Sequence, residues 1–251
     1  MRRLLGFRLD VLLGVLIVVT LLVTGTAVGY AKGIHKHPWP VANAAASTGR
    51  KMVYLTFDDG PGPNTAVVLR ELNAAHAHAT FFEIGNRMPA YQGTVTDIIE
   101  SGDVIGDHSE THPDFTKLGE HAAYQQWHEP YTWMLKHEGY RMTMARYPYG
   151  HASLYGNNAM WASGLTPEWW NLEAPDWNPK ISNAAVNHYI MRNVRPGFVL
   201  GLHDEAVGFL HFRQGHTPYL PELLRELKAA GYHFGVLKPG QRHPVSVTGS
   251  E

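Results

Sequence analysis

The chain opens on a nearly unbroken apolar run, Val11 to Val23, which fades through Thr24, Gly25 and Thr26 to Val28. Arg2, Arg3 and Arg8 stand ahead of it. A cationic flank followed by an apolar segment is the pattern of a secretory signal or an N-terminal membrane anchor. The run is short for a bilayer, which takes about 20 residues, and extension to Ala31 reaches that length. Gly25 and Ala27 form a small-x-small pair of the kind signal peptidases accept, so residues 1–31 are expected to be a signal peptide or a membrane anchor. Lys32 to Arg50 holds Pro38, Pro40, Gly49 and the small-residue stretch Ala44 to Thr48, and is expected to be a linker. A folded domain over 51–240 and a tail over 241–251 complete the expected organisation.

From Lys51 onward short apolar runs alternate with helical patterns. Strands are expected at Val53–Phe57, Thr80–Ile84, Val104–Gly106, Met142–Arg146, Trp169–Leu172, Phe198–Leu202 and Tyr232–Val236. Val68, Leu72 and Ala75 recur at helical spacing and predict a helix over Thr65–Ala77, with Asn64 placed to cap it. Further helices are expected up to Glu100, over Gly119–Glu138, over Ser182–Val194, and where Leu220, Leu223, Leu224 and Leu227 share a face. Such alternation predicts an α/β fold with a parallel sheet.

Composition narrows the chemistry. The 251 residues are 44% hydrophobic, enough for one substantial core. The formal net charge is −1 and no basic stripe stands out, so nothing marks a nucleic-acid partner. A neutral or weakly polar ligand fits better. Cysteine is absent, which removes disulfides, thiolate ligands and cysteine nucleophiles together and leaves any metal to nitrogen and oxygen donors. Of the 16 histidines, His35, His37, His76 and His78 belong to no constellation and are read as surface or packing residues.

The unusual polar residues fall at the carboxyl ends of the expected strands. Asp58 and Asp59 follow the first, His108 and His112 the third, and Arg146 ends another. Glu173 and Asp176 follow Trp169–Leu172, and His203 and Asp204 follow Phe198–Leu202. In parallel α/β barrels that rim is where active sites are assembled. Asp58-Asp59 leads into Gly60-Pro61, which turns the chain and fixes two carboxylates that can take different jobs. His108 and His112 at i, i+4 would share a face on a helical turn and, with an aspartate, could hold one divalent metal with open positions. Arg146-Tyr147-Pro148-Tyr149-Gly150 joins a cation to a stiff turn, where Arg146 could orient a carboxylate and backbone amides could stabilise an oxyanion. His203 held by a carboxylate is a credible general acid.

These segments together resemble the polysaccharide deacetylases of the NodB-homology group, carbohydrate esterase family four. Thr56–Pro61, His108–His112, Arg146–Gly150, Glu173–Trp177 and Leu202–Asp204 correspond to the five motifs of that family, in its order. The resemblance implies a distorted (β/α) barrel, Asp58 as catalytic base, and Asp59, His108 and His112 as metal ligands. It implies Arg146 as the residue orienting the base, the Tyr149 amide as oxyanion donor, and Asp176 as the residue tuning the acid His203. Trp177 beside Asp176, and Leu202 in a pocket for the acetyl methyl, are implied at the substrate. One position departs: the fourth motif usually begins with aspartate and here begins with Glu173.

The expected activity is metal-dependent removal of N-acetyl groups from an N-acetylglucosamine-type polysaccharide, peptidoglycan or chitin-like, outside the cytoplasm. Zinc is the first expectation, with cobalt, nickel or manganese also suited to such a site. Two alternatives are an O-acetyl esterase using the same site and a non-catalytic wall-binding protein, for which only Glu173 speaks. Trp127, Trp133, Trp161, Trp169 and Trp170 are candidates for sugar stacking, though core aromatics look the same in sequence.

Overall fold

The computed structural model describes residues 50–178, 180–205 and 219–240. The expected segment 1–31, the linker short of Arg50, and the tail 241–251 lie outside the described residues. Among those described, no helix is long and apolar enough to cross a membrane.

Among the described residues, eight parallel strands form one sheet. They are β1 (Lys51–Asp58), β2 (Thr80–Glu83), β3 (Val104–Asp107), β4 (Met144–Ala145), β5 (Thr166–Pro167), β6 (Leu172–Glu173), β7 (Val199–His203) and β8 (Tyr232–Gly235). Their order is β5-β4-β3-β2-β1-β7-β6, with β8 also paired to β1. The central strand β1 divides its length: Lys51–Tyr54 pairs with β8, and Tyr54–Asp58 pairs with β7. The helices are α1 (Thr65–Ala74), α2 (Gln92–Glu100), α3 (Glu120–His137), α4 (Leu154–Ala162), α5 (Asn183–Asn193) and α6 (Leu220–Ala229).

Strand alternation sorts the residues into two layers. Val53, Leu55, Phe57, Phe81, Ile105, Ala145, Leu200 and Leu202 belong to a large core shared with the helices. Leu220, Leu223, Leu224 and Leu227 of α6 enter it at i, i+3, i+4, i+7, and each fully buried leucine contributes roughly 1.5–3 kcal/mol. Phe82, Met144, Val199 and Leu237 form a second cluster with Tyr54, Val104 and Trp170. That inner layer ends at the carboxyl ends of β1, β4, β6 and β7, where the candidate site lies.

Several boundaries differ from expectation. The strand foreseen at Met142–Arg146 shrinks to β4, and that at Trp169–Leu172 becomes Leu172–Glu173. Helix α1 stops at Ala74, before His76 turns with φ 44. Asn64 makes no side-chain cap; its backbone N–H donates to Glu205 Oε1 at 2.7 Å. Ser182 does cap α5, its hydroxyl accepting from the Ala185 N–H.

Candidate active site

After β1 the chain turns at Asp59 with φ 78. Gly60 is required there, because a Cβ would lie 2.5 Å from both Asp204 Oδ2 and Glu83 Oε2. The turn carries the Asp59 carboxylate to two imidazoles. Asp59 Oδ1 lies 3.0 Å from His112 Nε2 and 3.4 Å from His108 Nε2. The two rings do not sit on a helical turn, as their spacing suggested. They hang from an irregular loop after β3, folded by left-handed Ser109 (φ 72) and His112 (φ 58). Asp107 Oδ1 accepts the Ser109 N–H at 2.7 Å, and Ser109 Oγ accepts the His112 N–H at 3.0 Å. This clamp leaves the ring centroids 5.0 Å apart.

One donor atom from each of these three buried residues lies within 4.8 Å of the others. His108 Nδ1 is 2.9 Å from the Arg146 carbonyl oxygen, which can only accept, so Nδ1 carries the proton and Nε2 presents its lone pair. Burial pushes the Asp59 carboxyl up, but its hydrogen bonds to His108 and His112 outweigh this and hold it well below the ordinary value. Burial lowers the His112 pKa against the pull of Asp59, favouring the neutral, ligating form. Two imidazole nitrogens and a carboxylate oxygen suit a divalent transition metal.

Asp58 takes a separate partner. Arg146 Nη1 donates to Asp58 Oδ1 at 2.8 Å and to Thr56 Oγ1 at 2.6 Å. Arg146 is fully buried, its guanidinium carbon 4.0 Å from the Phe82 ring centroid and 5.5 Å from that of Trp170. The Glu168 and Trp169 carbonyls accept from its Nε and Nη2 at 3.4 and 3.5 Å. A buried cation so enclosed is held in one orientation, and it holds Asp58 in turn.

Across the sheet His203 is fixed by Asp176. Asp176 Oδ1 is 2.9 Å from His203 Nδ1, and its Oδ2 accepts the His203 backbone N–H at 2.8 Å and the Tyr219 hydroxyl at 2.6 Å. Burial, the largest single influence, lowers the imidazole pKa. Asp176, with smaller contributions from Asp59 and Asp58, overcomes it and raises the value to about 10.

Asp58, Asp59, His108, His112 and His203 line one cleft of about 300 Å³, together with Tyr147, Tyr149, Trp170, Glu173, Trp177 and Gly201. Tyr149 stands at its mouth with φ 57, its exposed ring edge-on to His112 at 4.6 Å. Arg146 and Asp176 stand behind the cleft wall, and Leu202 is the expected substrate-binding residue not brought there. It is fully buried in the helix-side core, because its neighbours Gly201 and His203 take the cleft side of β7. Trp170, one of the tryptophans expected as sugar-stacking candidates, does line the cleft, whereas the contributions of Tyr219, Thr56 and Phe82 were missed in the sequence. A single hydroxyl or ring, contributed from a distant element, leaves no spacing pattern to find.

A family model described as polysaccharide deacetylase matches residues 45–167. A chitooligosaccharide deacetylase of Azorhizobium caulinodans is 34% identical over 167 residues, covering 64% of this chain and 77% of that protein. The chain belongs to the polysaccharide deacetylase family. PdaC of Bacillus subtilis, a peptidoglycan-N-acetylmuramic acid deacetylase, is 32% identical over 158 residues. That match spans 62% of this chain but only 32% of PdaC. Among solved structures, a family 4 carbohydrate esterase from Streptomyces lividans in complex with acetate superposes with a TM-score of 0.68 at 26% identity. It covers 78% of this chain and 97% of that one, so the distorted barrel expected from the motifs is the observed fold.

Proposed function

We propose that this chain is a metal-dependent deacetylase that hydrolyses the acetamide of N-acetylglucosamine-type residues in a polysaccharide, peptidoglycan foremost, releasing acetate and a free amino sugar. The observation that carries this reading is that Asp58 and His203 are register partners on adjacent strands. A carboxylate and a protonated imidazole thus flank one cleft, with the Asp59–His108–His112 triad beside them. A divalent metal bound there, zinc by its donor set, supplies polarisation of the carbonyl and a water of lowered pKa. Asp58, oriented by Arg146, accepts the proton of the attacking water. The Tyr149 N–H is assigned as a donor to the developing oxyanion. His203, held by Asp176, delivers a proton to the leaving nitrogen. Tyr149 and Trp177 bound the cleft with faces suited to sugar stacking. The Arg-flanked apolar run at the N-terminus supports action outside the cytoplasm and near the membrane.

The test is acetate release by the zinc-loaded protein from N-acetylglucosamine oligomers and peptidoglycan. Release is expected to need metal and to fall by roughly 10²–10⁴-fold in Asp58→Asn, the span of a general base. Acetate only from O-acetylated polysaccharide would make the protein an esterase. Silence on both substrate classes would sink the enzymatic reading.

A further inference from the structure

The cleft is rich in carboxylates. Asp58, Asp59 and Glu173 line it, and among the described residues no lysine or arginine does. Asp58 is engaged by Arg146, and Asp59 by two histidines. Asp176, just behind the wall, is engaged by His203 and Tyr219. Glu173 differs: its carboxylate has no hydrogen bond or ion pair with any described residue. It ends β6 opposite Gly201, exposed on the cleft side next to His203. Burial at the wall raises its pKa, with Asp58 and Asp176 adding and His203 and Arg146 opposing. The His203 imidazolium opposes that rise without forming an ion pair with Glu173.

The proposed reaction makes a cation beside it. Water gives one proton to Asp58 as its oxygen bonds to the acetyl carbon, the C–N bond breaks, and the nitrogen leaves as a neutral amine with the proton from His203. The amine then takes a further proton from the medium as acetate departs, so positive charge ends on the sugar nitrogen and His203 is left neutral.

We propose that Glu173 anchors an ammonium subsite, which binds the –NH3+ of a free amino sugar and lets the cleft distinguish a deacetylated sugar from an uncharged one. The origin of that cation rests on the deacetylase reading; the binding itself does not. The subsite makes the free amino sugar an inhibitor and lets the cleft accept polymers that are already partly deacetylated. A sugar bearing a carboxylate meets repulsion at the same wall.

Calorimetric titration of the zinc-loaded protein tests this, with the tetramer of glucosamine as cationic ligand and the tetramer of glucose as uncharged analogue. At low salt and mildly acidic pH, the cationic tetramer is expected to bind about 10-fold more tightly, equivalent to about 1.4 kcal/mol. Glu173→Gln should bring the two affinities within about twofold, since the amide keeps the shape and loses the charge, while Glu173→Asp should keep most of the preference. Equal affinities in the unaltered protein overturn the proposal whatever the variants do. So does a preference that survives Glu173→Gln. Acetate release alongside an unchanged preference removes the subsite and leaves the deacetylase standing; charge-selective binding without acetate release does the reverse.

Discussion

His203 owes its retained proton to one neighbour. The burial that would strip its proton is offset by Asp176, which reaches both the ring Nδ1 and the backbone N–H. Because its pKa in the fold is raised, the pair's contribution to stability is complete below the unfolded value near 6.5 and is lost as pH rises through about 10. Asp176→Asn removes the largest upward influence, so the imidazole should titrate near or below its ordinary value. Proton NMR of the metal-free protein should show that fall directly. The alkaline limb of kcat/KM should move to lower pH by at least about one unit. An unchanged imidazole titration in Asp176→Asn would remove Asp176 as the tuning group. That these side chains gather at one rim was legible in sequence, because aspartate, histidine and arginine are rarely stranded at successive strand ends by packing alone. Leu202 shows the limit at this scale: next to His203 in sequence, it faces the opposite side of β7.

Elements reach the site through packing, and α3 is the clearest case. Trp127 of α3 stacks on Phe115 at 4.4 Å, meets Tyr147 edge-on at 5.2 Å, and donates its indole N–H to the Gly156 carbonyl at 3.1 Å. Tyr147 in turn lines the cleft between Arg146 and Tyr149. Trp127→Ala should therefore destabilise the fold by roughly 3–5 kcal/mol, as large buried aromatics do. It should also raise KM by loosening the Arg146–Gly150 turn, whereas Trp127→Phe, which keeps the ring, should recover most of both. Denaturant melts with steady-state kinetics would separate the two effects; a cost below about 1 kcal/mol in Trp127→Ala would break this link. The long amphipathic pattern of α3 was visible in the sequence within a residue or so at each end. Strands of two residues, β4, β5 and β6, were not delimited, because so short a pairing is set by its neighbours rather than by its own alternation. The loop holding His108 and His112 escaped for a related reason. A left-handed Ser109 clamped by Asp107 mimics the spacing of a helical turn without being one.

Across the whole molecule, the site joins regions that the chain keeps far apart. The three metal-ligand candidates come from the turn after β1 and the loop after β3, while Arg146 ties the end of β4 to β1. β1 is also the strand on which β2, β7 and β8 converge, so an ion held at Asp59 bears on the centre of the sheet. The order of the five motifs announced this convergence, but only the fold shows that it runs through one strand. A metal bound to the folded state alone adds stability by mass action, about 2.7 kcal/mol at a hundredfold excess over its dissociation constant. For a domain of this size that corresponds to a rise in Tm of roughly 5–10 °C. Zinc added to chelator-treated protein should produce such a rise, and chelation should reverse it. Asp59→Asn should abolish most of the gain, since the amide lacks the charge that a divalent cation needs, while Asp58→Asn should keep it because Asp58 is committed to Arg146. Scanning calorimetry of the three proteins with and without zinc decides the matter. Equal gains in all three would place the ion elsewhere, and a loss confined to Asp58→Asn would exchange the roles of the two aspartates.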